Sequence, residues 1–129
     1  MKLYVLSDLH AESAAFVADP AALEEADVVV LAGDIHCGEY TPFWARKTFG
    51  DKPIILVAGN HEFYDRHWER CLMDMRKAAR QCGVHFRENE TVTIGGVQFL
   101  GATFWTDFEL MGARAQSIEA AKRLMADYR

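Results

Sequence analysis

No apolar run in this chain approaches the roughly 20 residues that cross a bilayer, so nothing in it reads as a membrane anchor. The amino terminus offers only four apolar residues, Leu3 to Leu6, before the charge of Asp8. That is too few for the hydrophobic stretch of a signal peptide. Cysteine is scarce as well. Cys37, Cys71 and Cys82 leave one thiol over in any disulfide scheme and show no C-x-x-C spacing. They read as reduced, buried thiols of a cytoplasmic protein. Cationic residues are in deficit, with 14 Lys and Arg against 19 Asp and Glu and a net charge of −5. That balance argues against a sequence-independent binder of nucleic acid or membrane, because phosphate backbones select basic surfaces. Low-complexity stretches, linkers and internal repeats are absent. What remains is one domain over residues 1–129, half of whose residues are hydrophobic.

Three short apolar runs organise the first half: Leu3 to Leu6, Val28 to Ala32 and Ile54 to Ala58. Each is a continuous block rather than an alternation, the pattern of parallel strands buried on both faces. Helical stretches lie between them. Thr41-Pro42 reads as an N-cap followed by proline at the first helical position, with Gly50 closing that helix. A longer helix is expected from about Tyr64 to Cys82. Its apolar residues Tyr64, Trp68, Cys71, Leu72, Met75, Ala78, Ala79 and Cys82 recur at spacings of three and four, and Gly83 supplies the stop. After Gly83 the pattern changes. Thr91 to Ile94 and Val97 to Leu100 flank Gly95-Gly96 and read as a hairpin with a type I′ or II′ turn. A last amphipathic segment spans about residues 113–128. The expected fold is α/β, a parallel βαβαβ start with an antiparallel hairpin added on.

The informative feature is the short polar segment at the end of each strand run: Ser7-Asp8-Leu9-His10, then Gly33-Asp34-Ile35-His36, then Gly59-Asn60-His61-Glu62. In an open α/β sheet, ligands collect beyond the carboxyl ends of the strands. The three loops should therefore bring two carboxylates, an amide and several imidazoles together. Two carboxylates repel each other in a low-dielectric pocket, and a divalent cation relieves that repulsion. The mixed donor set suits manganese, iron or zinc better than calcium or copper. A single Asp or Asn after a strand is usually a turn former or helix cap. Three strands ending this way, with glycine directly before Asp34 and Asn60, outweigh that reading. Glycine there lets the backbone turn tightly and approach a ligand.

Asp8-x-His10, Gly33-Asp34 and Gly59-Asn60-His61-Glu62 together resemble the first three signature blocks of the calcineurin-like metallophosphoesterases. Gly101-Ala102-Thr103-Phe104-Trp105-Thr106-Asp107 is similar to a segment of small bacterial members. The resemblance implies a partial metallophosphoesterase α/β sandwich and metal-dependent hydrolysis of phosphate esters, either mono- or diesters, at a dinuclear centre. It implies that Asp8 and His10 bind one cation, that Asp34 bridges two, and that Asn60 binds the second. By the same resemblance His61 is not a ligand but a catalytic residue beside the substrate phosphate. Nucleic acid then enters only as a substrate.

The chain departs from that family in one respect. A Gly-His-x-His block that the resemblance assigns to the later part of the domain does not occur; the other histidines are His36, His67 and His85. His36 could line the pocket, His67 reads as a surface residue and His85 as core or edge-strand packing. The domain therefore reads as truncated at its carboxyl end, with one well-held cation instead of two and impaired hydrolysis. An exposed sheet surface is expected to drive self-association. The competing readings are an inactive remnant that binds a metal or a protein partner, and an unrelated α/β module whose acidic strand ends only form turns. Among weaker features, Glu62 is either an orienting group or a helix N-terminal acid. Trp105, Thr106 and Asp107 follow a strand and could border the substrate pocket, but Trp105 and Asp107 read first as core packing and turn chemistry, and Asp65, Arg66 and Arg70 as solvated helix charges.

Overall fold

The three apolar runs form strands β1 (Leu3–Leu6), β2 (Val28–Ala32) and β3 (Ile54–Val57). The computed structural model describes residues 1–128. A short fourth strand, β4 (His85–Phe86), completes a sheet of order β1-β2-β3-β4 in which every pairing is parallel. The register sets Leu6 against Leu31 and Ala32 against Val57. The three long strands thus end level, and their loops leave from one edge. His85, read from the sequence as core or edge packing, lies on the edge strand.

Helices α1 (Pro20–Glu25), α2 (Tyr40–Phe49) and α3 (Trp68–Cys82) connect successive strands. Val29, Leu31, Ile54 and Leu56 on one face of the sheet pack with Phe49, Leu72, Met75 and Ala79 in a single cluster. Burial of each large side chain contributes roughly 1.5–3 kcal/mol. Of the helical periodicity expected for α3, Cys71, Leu72, Met75, Ala78 and Ala79 are buried, and the helix stops at Gly83. Cys71 is buried and Cys82 packs on the core; all three thiols are free.

The structure corrects two helix starts. α3 begins at Trp68 rather than Tyr64 because Asp65 has a left-handed backbone (φ 58°), which interrupts the helix after a 3-10 turn at His61–Phe63. α2 begins before Thr41. The amides of Tyr40 and Thr41 donate to the carbonyls of Cys37 and Gly38, so the helix starts two residues earlier, with Glu39 at the cap position, and Thr41 is not the cap.

The expectation that the sheet is buried on both faces fails for β1, where Leu3 and Val5 are 46% and 57% exposed. The helices cover only the opposite face. Beyond β4 come the hairpin β5 (Glu90–Ile94) and β6 (Val97–Gly101), which forms its own two-stranded sheet, and then α4 (Arg114–Leu124). Gly95 and Gly96 both have positive φ (57° and 80°), the requirement of a type I′ turn. The hairpin and the segment after α4 leave a cleft of about 540 Å³ over Val30, Ala32 and Val57 instead of a packed layer. Among the described residues, no helix is long and apolar enough to cross a membrane.

Candidate metal centre

The loops after β1, β2 and β3 are laced together by their backbones. The amides of Asp8 and His10 donate to the carbonyls of Gly33 and Asp34, both at 3.1 Å, and the Ala11 amide donates to Ile35 at 2.9 Å. The second and third loops are joined through Glu62, whose side chain is wholly buried. Its carboxylate accepts from the amides of Asp34 (3.0 Å), Ile35 (2.9 Å) and Gly59 (2.8 Å). In return the Asp34 carboxylate accepts from the His61 amide at 2.9 Å. Burial holds the Glu62 carboxyl above the ordinary range, and the three N–H donors offset part of that shift.

The glycines before Asp34 and Asn60 have a more specific task than the sequence suggests. A Cβ on Gly33 would lie 2.8 Å from the Gly59 amide nitrogen, and one on Gly59 would lie 2.2 Å from Asp34 Oδ1. They allow two loops to touch each other, which in turn sets the direction of the Asp34 carboxylate.

Asp8, His10 and Asp34 all adopt left-handed backbones, with φ of 55°, 44° and 55°. Such conformations cost non-glycine residues on the order of 1–3 kcal/mol and concentrate at functional sites. The lacing of the loops offsets that cost, and its result is convergence. One ligand-type atom each from Asp8, His10 and Asp34 lie within 4.8 Å of one another. These three residues form a donor set of two carboxylates and an imidazole that fits a divalent cation.

Asn60 occupies the same edge, one residue before His61. Its amide nitrogen donates to Tyr64 Oη (3.1 Å) and to Asp127 Oδ1 (2.8 Å). Burial pushes the Asp127 carboxyl upward, but the hydrogen bonds from Asn60 and Tyr64 outweigh it and hold the group below its usual value. The Asp127 contact spans 67 positions of sequence and could not be read from either residue.

His61 turns its Nδ1 toward His10 Nδ1 at 3.1 Å, while its ring lies 4.3 Å from that of Tyr64. Glu12, which no strand-end pattern singles out, comes within 3.6 Å of His10 Nδ1 and 3.5 Å of His61 Nδ1. Burial raises the Glu12 carboxyl; its own amide, His61 and His10 outweigh this and leave it lowered. A tight turn, in which the amides of Ser13 and Ala14 donate to the His10 carbonyl, folds Glu12 back over the site. The one signal in the sequence is the alternation Asp8-x-His10-x-Glu12. His36 does line the site: a second grouping places Glu12, His36 and Cys37 within 4.8 Å.

The remaining residues take plainer positions. His67 is exposed ahead of α3. Asp107 Oδ1 accepts from the Glu109 amide at 2.9 Å, turn chemistry as expected. Trp105 is 41% exposed rather than core, its ring 5.6 Å from Trp68 and 6.1 Å from Tyr128. Arg66 is not a free helix charge: it pairs with Glu39 and sits over the Tyr40 ring.

Two carboxylates and an imidazole at the carboxyl edge of a parallel sheet are the outline expected of a phosphoesterase, and the family comparison agrees. The family model for the calcineurin-like phosphoesterase superfamily domain matches residues 1–126. The chain belongs to this superfamily. No curated protein and no solved structure gives a significant match. As a calcineurin-like phosphoesterase domain, the chain belongs to a class of hydrolases that act on phosphate esters with divalent metal ions, and its strand-end loops contain residue groups able to hold such ions.

Proposed function

We propose that this chain is a metal-dependent hydrolase of phosphate esters whose single domain spans residues 1–129. Asp8, His10 and Asp34 hold one divalent cation, manganese, iron or zinc, and Asp34 and Asn60 provide a second, weaker position. His61 acts beside the substrate phosphate. The observation that carries the reading is the convergence of Asp8, His10 and Asp34 within 4.8 Å, each held in a left-handed backbone. Cations bound there supply positive charge to the phosphate oxygens and to a nucleophile. The residues themselves supply placement. The Asp34 carboxylate is fixed by the His61 amide and by Gly59, and the same bond sets the start of the turn that carries His61. Three free thiols suit the cytoplasm.

Asn60 is a neutral donor, and with Asp34 already shared the second position has two side chains. Two such ligands do not offset the dehydration of a divalent ion, so hydrolysis by this chain is slow. The want of a third side chain at the second position favours, as the second reading, a metal-binding module without turnover. Titration of the metal-free protein with manganese or zinc separates these readings from a module that binds no metal. The expected result is about one tight site per chain, abolished by Asp8→Ala or Asp34→Ala, with slow hydrolysis of an aryl phosphate. No binding at all would refute the proposal, and metal binding without any hydrolysis would establish the second reading.

A further inference from the structure

We propose that the cavity between the His61 turn, the start of α3 and the loop after β6 holds a planar aromatic group of the phosphate ester, and that Trp68 and Trp105 set a preference for such esters. The inference rests on the phosphoesterase reading above and names the substrate class of that centre. The cavity measures about 640 Å³, within the roughly 300–1,000 Å³ of small-molecule sites. Phe63, Tyr64, Trp68 and Trp105 supply its aromatic lining, and Asn60 and Asp127 supply polar groups.

The cavity adjoins the place assigned to the phosphate. Asn60 lines it directly, and the ring of Tyr64, another lining residue, lies 4.3 Å from that of His61. An ester whose phosphate lies beside His61 therefore extends its organic group across Tyr64 toward the two indoles. His61 keeps the role given above, and no cation position is added.

The two indoles differ from the third. Trp44 packs with Phe16 and Phe49 against the core. Trp68 and Trp105 stay 38% and 41% exposed, although their rings are 5.6 Å apart and meet at 64°. Phe63 stacks on Trp68 at 4.0 Å, and Tyr128 meets Trp105 edge-on at 6.1 Å. These contacts hold both rings and still leave apolar surface open, a rigid platform that a flat ring can cover. An aliphatic group would bury area there but would lack the attraction between aromatic rings. A protein partner calls for a broad apolar patch, whereas this surface is concave and carries the polar groups of Asn60 and Asp127.

The full chain has three tryptophans, whose indole N–H groups report separately in nitrogen-15 spectra. In the zinc-loaded protein, benzylphosphonate (phenyl phosphate with carbon in place of the bridging oxygen) should shift the indoles of Trp68 and Trp105 but not that of Trp44. It should also bind more tightly than methylphosphonate, which has no ring. Trp68→Ala or Trp105→Ala should reduce that preference about tenfold, the size of one base–aromatic stacking contact. Trp105→Phe, which keeps a ring, should lose less. Far-UV circular dichroism checks the fold of each variant. An aryl group and a nucleobase present the same flat face. A nucleoside 5′-phosphonate that binds more tightly than benzylphosphonate identifies a nucleobase, and the reverse order identifies a simple aryl group. Methylphosphonate binding as tightly as benzylphosphonate, with both indoles unmoved, would overturn the aromatic pocket and leave the phosphoesterase reading intact. If neither phosphonate binds the zinc-loaded chain, that reading falls and the proposal falls with it.

Discussion

Replacing Glu62 by alanine probes the part of the design on which the site depends. The wild-type carboxylate is wholly buried and accepts three amide hydrogens, from Asp34, Ile35 and Gly59, on two loops that are otherwise separate in sequence. Hydrogen bonds to a charged group contribute about 1.5–3 kcal/mol each, and a buried amide left without a partner costs about 1–3 kcal/mol. The bonds are not additive, and removing the carboxylate also removes its own desolvation cost. The net loss should therefore be about 3–5 kcal/mol, a large share of the roughly 5–15 kcal/mol that holds a domain folded. Glu62→Gln keeps one acceptor oxygen but points an amide N–H₂ at a backbone N–H, so it should lose about 2–3 kcal/mol. Urea denaturation monitored by far-UV circular dichroism measures both. Hydrogen exchange at Asp34, Ile35 and Gly59 should accelerate in the variants more than exchange in α3 does. A Glu62→Ala protein within about 1 kcal/mol of wild type, or one with those three amides still protected, would refute the view that Glu62 ties the loops.

Three further outcomes are expected. Arg46 donates to the carbonyls of Cys82 (2.7 Å), Gly83 (2.7 Å) and Lys52 (3.0 Å), and also to Gly50, joining the ends of α2 and α3. Lysine cannot reproduce that planar fork, so Arg46→Lys should cost about 1–3 kcal/mol in denaturant unfolding. Burial first, then Arg87 and Arg46, hold the His85 imidazole below its ordinary value. The unfolded chain then takes up the proton first, so this residue's contribution to stability is lost as pH falls through about 6.5. His85→Gln should flatten the stability difference between pH 7.5 and 5.5, and an unchanged difference would count against it. The β1 edge, with Leu3 and Val5 exposed, should drive self-association in sedimentation at micromolar concentrations. Val5→Lys should return the protein to monomer, and a wild-type monomer across that range would refute the reasoning.

Local chemistry was legible in the sequence wherever a short-range rule decides the outcome. Blocks of Val, Ile and Leu can only be strands of a parallel sheet or short buried helices, and their four- to five-residue length settles which. The three-four spacing of Cys71, Leu72, Met75, Ala78 and Ala79 fixes the buried face of α3 because helix geometry repeats at that interval. Asp8, His10, Asp34, Asn60 and His61 could be named as a group because each lies just past a strand, and parallel strands end on one edge. What the sequence could not supply was everything that depends on distance between segments remote in the chain. An exposed sheet surface was expected, but that it falls on Leu3 and Val5 of β1 depends on where the hairpin settles and was not legible. Glu12 became part of the site only because a turn at His10 brings it against His61, 49 positions later. Asn60 meets Asp127, and Glu62 joins three amides, through packing that no periodicity encodes. Residue type and spacing determined which side chains this chain presents at its strand ends; the tertiary structure alone decided which lone pairs face one another, because that is set by loop conformations held against neighbours distant in sequence.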